Sequence, residues 1–218
     1  MIGVAEWEEH SRKRGTIADL LGARMHATAE GKAKTATDVI YKNAFPNVDL
    51  IPSHIDLFTV DLDLAGATSR ETKLRKSLKG KIADYDIIVC DCPPNLTIPT
   101  QNALALSTHY VIPVSLDFLS AIGVSLLIKR VSELTEDLDK EIAMAGIVIS
   151  RVGRPAIHRE ETEATLRSSF PEKVLPTTIS ERVSVSKSAE SRTPIFNSGD
   201  TTAADQFREV CQDILDRI

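Results

Sequence analysis

From residue 48 onward the chain alternates between short, dense apolar runs and longer stretches whose apolar residues recur every three or four positions. The first pattern suits strands and the second amphipathic helices. Residues 48–51 form such a run, ended by Pro52, and Ser53 is placed to cap a helix running toward Gly66. A basic helix is expected over 70–82, leading into the apolar run 87–90, which stops at Asp91 and two prolines. The pattern then predicts a helix over 97–107, a strand over 110–114 and a long helix over 121–138. That helix carries Val124, Leu127, Ile128, Val131 and Leu134 on one stripe. A strand over 145–150, a helix over 160–170, a short strand over 174–179 and a closing helix over 202–218 complete the series. In the closing helix Phe207, Val210, Cys211 and Ile214 stand at helical spacing. Strands alternating with helices of this length predict parallel β-α-β units with right-handed crossovers, hence an α/β fold.

Residues 1–45 are polar and aperiodic and read as a loosely structured N-terminal region of a single domain over 1–218. Within them, Thr16 followed by Asp19 has the form of a capping box ahead of a short helix closed by Gly22. Residues 23–37 read as a loop, and Trp7 as a packing residue or an exposed one on a loose end.

Composition narrows the function classes. A net charge of −5 argues against a chain that coats nucleic acid over its whole surface, though it leaves room for a local basic patch. No apolar run approaches the roughly 20 residues that span a bilayer, and the N-terminus has no signal-peptide core. A cytoplasmic protein is expected. Three cysteines form no disulfide framework; Cys90 and Cys92, two apart in an expected strand, read as small buried residues. Ser115, Ser120 and Ser125 lack the context of a nucleophile elbow. The segment GKAKT at 31–35 lacks the earlier glycine and preceding strand of a phosphate loop.

The most chemical stretch is 85–96, YDIIVCDCPPNL. A continuous β-branched run suits a strand buried on both faces, and a carboxylate at its C-terminal end sits where open α/β sheets bind ligands. Asp91 is therefore placed for a magnesium ion beside a nucleotide phosphate; the alternative is a cap for the helix after the prolines.

Together with Asn102 to Leu104 and Ile112 to Val114, the Asp91–Pro94 motif resembles the ParA-type partition ATPases, relatives of MinD among the deviant P-loop NTPases. VDLIPSHIDL upstream and PTTISERVSVSKSAESRTPIF downstream are similar to family segments too. The resemblance implies a three-layer, mostly parallel sheet. It also implies ATP and Mg2+ as cofactors, a sandwich homodimer, nonspecific DNA binding in the ATP state and a ParB-like, DNA-bound partner. Asp91 would take the magnesium-associated role, and Pro93 and Pro94 would lie in the loop that senses the γ-phosphate. Asp117 and Phe118 would match an acidic-aromatic pair. Ser180 stands at the family's adenine-side position, where many members have proline. In the family, basic residues in the loops that here carry Arg151, Arg154, Arg182 and Lys187 contact DNA phosphates.

The family also opens with a strand, a glycine-rich phosphate loop, a helix and a second strand, and residues 1–90 contain no counterpart. Met1 to Trp7 resembles the family segment just after that second strand. The expectation is thus an N-terminally shortened member, from a mis-assigned start or a truncated gene, unable to hydrolyse ATP alone. A pseudo-ATPase that regulates an intact ParA-type partner, and an unrelated α/β binding module, are the alternatives. The missing strand would leave 87–89 unpaired. Other clusters have simpler readings. Arg70, Lys73, Arg75, Lys76, Lys79 and Lys81 suit a solvated helix face, and Glu160 and Glu161 beside His158 suit a helix start.

Overall fold

The computed structural model describes residues 2–22, 33–117 and 119–218. Their contacts group into two units, Met1–Leu106 and Ser107–Ile218.

The first unit opens with α1 (Val4–Lys13) and α2 (Ile17–Leu21). As the sequence predicts, the Thr16 amide and hydroxyl both donate to the Asp19 carboxylate, at 2.8 and 3.2 Å, and Gly22 closes α2 at φ 88°. The same device, Thr35 with Asp38, starts α3 (Ala36–Val39). An antiparallel hairpin follows, β1 (Tyr41–Phe45) and β2 (Val48–Leu50), turned by Pro46 and by Asn47 at φ 61°. The described part of 1–45 is therefore ordered, not loose: two capping boxes and the burial of Ala18, Leu21 and Val39 hold it. Trp7 is half-buried, stacked on His54 and donating to the Ser53 carbonyl at 3.0 Å. Most of the 23–37 loop, including Gly31 and Lys32, lies outside the described residues.

The helix expected after Ser53 is two pieces, a 3-10 turn (Ile55–Phe58) and α4 (Val60–Asp63). Its cap is His54, whose Nδ1 accepts from the Asp56 amide at 3.2 Å. The basic helix is likewise divided into a 3-10 turn (Arg70–Thr72), α5 (Lys73–Leu78) and a second turn (Ile82–Asp84). Gly80, a poor helix residue, falls in the break. α6 (Ile98–Leu106) packs on α4 and α5 through Ile98, Val60, Leu64, Leu74 and Leu78.

Asn102 ties this packing together. Fully buried, it accepts from the Leu74 amide at 3.0 Å and donates to the Arg70 and Ile98 carbonyls at 2.7 and 2.9 Å. Every side-chain polar atom of Asn102 is thus satisfied, as a buried amide requires.

The run 87–90 does not form a strand. No main-chain hydrogen bond joins 86–96 to other main-chain groups among the described residues. Ile87, Ile88 and Val89 are 56, 43 and 85 % exposed. A strand exists through its pairing, and no neighbour among the described residues supplies it. For the same reason Cys90 is only half-buried and Cys92 exposed, against the sequence expectation.

The second unit is built on parallel strands β3 (His109–Val114) and β4 (Ala143–Ile149), joined through α7 (Ser120–Asp137). β4 is buried without interruption from Ala145 to Ile149, and its side chains alternate between two clusters. Ile147 and Ile149 pack with Ile112, Val124 of α7 and Leu166 of α8 (Ile157–Ser169), while Val148 packs with Leu175 and with Val210 of a C-terminal helix. Helices therefore cover both faces of the parallel pair, giving three layers. The expected strand over 174–179 is reduced to two isolated parallel bridges, Ile147 with Val174 and Val152 with Ser180. After α9 (Val183–Glu190), the chain ends in α10 (Thr201–Leu215), capped by Asp200 through the Ala203 amide at 3.0 Å. Val210 of its expected apolar stripe is buried, but Cys211 is exposed.

Candidate functional site

In the first unit the site is the loop from Asp91 to Thr97. The segment leading into it starts where Tyr85, in extended conformation (φ −130°, ψ 137°), donates from Oη to Asp49 Oδ2 at 2.7 Å. Lys42 Nζ joins the same pair, 2.6 Å from Asp49 and 3.1 Å from Tyr85 Oη, and the Asn43 amide donates to Asp49 Oδ1 at 2.9 Å. These donors, Lys42 first, hold the Asp49 carboxyl down at about 2. The loop ends where the Ile98 amide, first of α6, donates to Asp61 Oδ1 at 2.7 Å. Asp61 therefore satisfies the helix start that Asp91 was placed to cap, which removes the capping alternative for Asp91. Asp91, Pro93 and Pro94 are all exposed, and Asp91 makes no hydrogen bond or ion pair among the described residues.

A magnesium–nucleotide site needs more than this. Mg2+ is commonly held by one or two carboxylates together with phosphate oxygens, and the phosphates need a cradle of amides and a cation. Among the described residues no three His, Cys, Asp or Glu side chains converge as metal ligands. Among the described residues Asp91 offers one exposed carboxylate toward such a site, with no cation or second carboxylate bonded to it.

In the second unit the loop after β4 carries the basic residues. Arg151 sits at φ 56°, an uncommon conformation for a residue with a side chain, and Arg151 and Arg154 are exposed without an ion pair among the described residues. The Val152–Ser180 bridge, with the Val152 amide on the Ile179 carbonyl and the Glu181 amide on the Val152 carbonyl, places this loop beside the start of α9. The structure thus brings together Arg151, Arg154, Ser180 and Arg182, from two segments separated in sequence by all of α8. Lys187 is exposed on α9 and likewise unpaired.

Arg182 and Ser180 turn out to be structurally engaged. Arg182 Nη1 lies 3.2 Å from Asp200 Oδ2, which also accepts from Ser184 Oγ at 2.6 Å while Asp200 caps α10. Ser184 and the Ala203 amide hold the Asp200 carboxyl below its ordinary range. Ser180 is clamped by Gln206, which accepts from its amide at 3.1 Å and donates to its hydroxyl at 2.9 Å. The partnering role of Asp200 was readable, an Asp directly before a helix; that of Asp61, distant in sequence, carried no signal. Asp117 is held by Ser115 and Ser120 at the start of α7, and Phe118 lies outside the described residues.

A cleft of about 160 Å³ opens beside this loop, lined by Leu116, Val152, Arg154, Arg159 and Glu163 among others. That is below the roughly 300 Å³ at which small-molecule sites begin. Arg159 Nη1 donates to the Arg154 carbonyl at 2.6 Å.

Comparison with known proteins agrees with this architecture. A family described as an AAA domain matches residues 8–144. The cell division protein PomZ of Myxococcus xanthus is 33 % identical over 181 residues, 83 % of this chain and 57 % of PomZ. The chromosome partitioning protein ParA of Caulobacter vibrioides is 26 % identical over 188 residues, 85 % of this chain and 67 % of that protein. A crystal structure of a putative plasmid partition protein of Borrelia burgdorferi bound to AMPPNP shares the fold. Its TM-score is 0.72 at 22 % identity, covering 93 % of this chain and 74 % of that one. The chain spans a little over half the length of PomZ. With more than half of its residues inside the family match, the chain belongs to this AAA-domain family and is of the ParA/MinD type.

Proposed function

We propose that this chain is a ParA-like partition or positioning module that binds DNA without sequence preference and does not hydrolyse ATP by itself. The observation that supports DNA binding is the pairing of Arg151 and Arg154, both exposed and free of carboxylate partners among the described residues, on one loop at the C-terminal end of β4. Phosphate contacts need mobile, unpaired cations, and Arg182 contributes less because Asp200 holds it. Lys187 extends the surface, while Glu160 and Glu181 keep the attraction modest. The test is fluorescence anisotropy of a random-sequence duplex. Three phosphate contacts predict a log–log salt slope of about −2.7. Binding that ignores salt, or that survives Arg151→Glu with Arg154→Glu, contradicts the reading.

The exposed, unpartnered state of Asp91 favours a second reading on the enzyme side, a pseudo-ATPase that acts through an intact ParA-type partner. In that role the chain would join a dimer with the intact ATPase, which in turn answers to a ParB-like protein on DNA, at the nucleoid. Titrating the chain into such an ATPase and finding its turnover unchanged would remove this reading. Among the described residues no helix is long and apolar enough to cross a membrane.

A further inference from the structure

We infer that Arg159 is the positioning residue of the loop that carries Arg151 and Arg154, and that Gly153 is the gap which admits its guanidinium. The inference rests on the reading of that loop as a DNA-binding surface, and it names a residue on which the loop's affinity depends without contact to DNA.

The stretch in need of support is 153–155. Behind it Val152 is fixed on both sides, its amide on the Ile179 carbonyl and its carbonyl on the Glu181 amide. Ahead of it α8 begins at Ile157, and the preceding residue, Ala156, offers no side-chain cap. Between them no main-chain group of Gly153, Arg154 or Pro155 bonds to another main-chain group among the described residues. The hydrogen bond that holds this stretch comes from a side chain, Arg159 Nη1 on the Arg154 carbonyl at 2.6 Å.

Arg159 is the third residue of α8. That position favours an acid, which meets the positive end of the helix dipole and reaches back to the cap amide. Glu6, Asp19 and Asp38 do so in α1, α2 and α3. A guanidinium there works against the dipole and gains instead from a carbonyl outside the helix.

Gly153 makes that reach possible. A β-carbon on it would lie 2.8 Å from Arg159 Nη1 and 3.2 Å from Cζ, and 3.1 Å from Glu181 Oε2. All three atoms are at the ends of flexible side chains, so Gly153→Ala displaces the guanidinium while strand and helix stay in place. The latch fixes the main chain of the loop and leaves the Arg151 and Arg154 side chains free to meet phosphates. Less order then has to be imposed on binding.

The test uses the 218-residue chain with Arg159→Ala, Gly153→Ala and the variant carrying both, each checked for an unchanged circular dichroism spectrum. It measures anisotropy of a random-sequence duplex and, without DNA, NMR relaxation of the Gly153 and Arg154 amides. Each single variant should weaken binding about tenfold, the scale of a hydrogen bond from a charged donor. The log–log salt slope should stay that of the parent chain, whereas a lost phosphate contact lowers it by about 0.9. The double variant should be no weaker than either single one, because both remove the same latch. Amide order parameters should fall from about 0.85 to below about 0.6 in all three variants. A slope lowered by about 1 in Arg159→Ala would make Arg159 a phosphate contact and overturn the proposal. Additive losses, or amides that stay rigid in the variants, overturn it too. Binding that Arg151→Glu abolishes but Arg159→Ala leaves untouched sinks the proposal and spares the DNA reading. A parent chain that binds no duplex sinks both.

Discussion

Replacing Asn102 by Ala removes a fully buried amide that accepts from the Leu74 amide and donates to the Arg70 and Ile98 carbonyls. The Ile98 carbonyl keeps its place in the α6 ladder, so its loss is small. The Leu74 amide lies in the first turn of α5, where no intrahelical acceptor exists, and it would be orphaned in the core. An unsatisfied buried donor costs about 1–3 kcal/mol, and the released Arg70 carbonyl adds about 1. The expected loss is about 3 kcal/mol, a large share of a typical domain's roughly 5–15. Trp7 is the chain's one tryptophan and lies in the first unit, so its fluorescence follows this unit during urea unfolding. With a slope of about 2 kcal/mol per molar, the midpoint should fall by about 1.5 M. Asn102→Asp keeps the acceptor but buries a charge against two carbonyls; it should be no better at neutral pH and regain stability as pH falls and the acid protonates. A loss under about 1 kcal/mol for the alanine variant, or an Asp variant indifferent to pH, would refute the strut role of Asn102.

Three further outcomes are expected from contacts described above. The Asp49 carboxyl is depressed from 3.8 to about 2 by Lys42, Asn43 and Tyr85. Its contribution is therefore complete above about pH 4 and is lost as pH falls toward 2; Asp49→Asn should flatten that part of an acid titration followed by Trp7 fluorescence. Arg154→Glu should weaken duplex binding about tenfold at low salt and reduce the salt slope by about 1, with little change in unfolding midpoint. Arg182→Ala should do the opposite, lowering stability by about 1 kcal/mol through the Asp200 cap while leaving DNA affinity nearly unchanged; a larger effect on DNA than on stability would return Arg182 to the interface.

Helices with a strong period or a cap were legible in the sequence. The Thr16–Asp19 box and Gly22 end, the Val124–Val131 stripe and the helix beginning near Thr201 all stand where pattern and capping place them. Readings failed where tertiary partners decide the outcome. The run 87–90 has every local property of a buried strand, yet pairing is not a local property. The β1–β2 hairpin was half seen, because β1 contains Lys42 and Asn43, whose places are set by Asp49 across the turn. At the site, residue chemistry was legible and engagement was not. Arg151, Arg154, Arg182 and Lys187 look alike in sequence, and only the fold shows that Asp200 occupies one of them. Asp91 was found from its neighbours, while the Asp61 cap that frees it could be read only in space.

The central proposal, that Asp91 marks a nucleotide site which the 218 residues alone do not complete, is tested most directly by calorimetric titration of the purified 218-residue chain with ATP and Mg2+. The proposal predicts no saturable heat at nucleotide concentrations up to about 1 mM, a level at which even an interaction of about 4 kcal/mol would register. Micromolar binding that Asp91→Ala abolishes would contradict it.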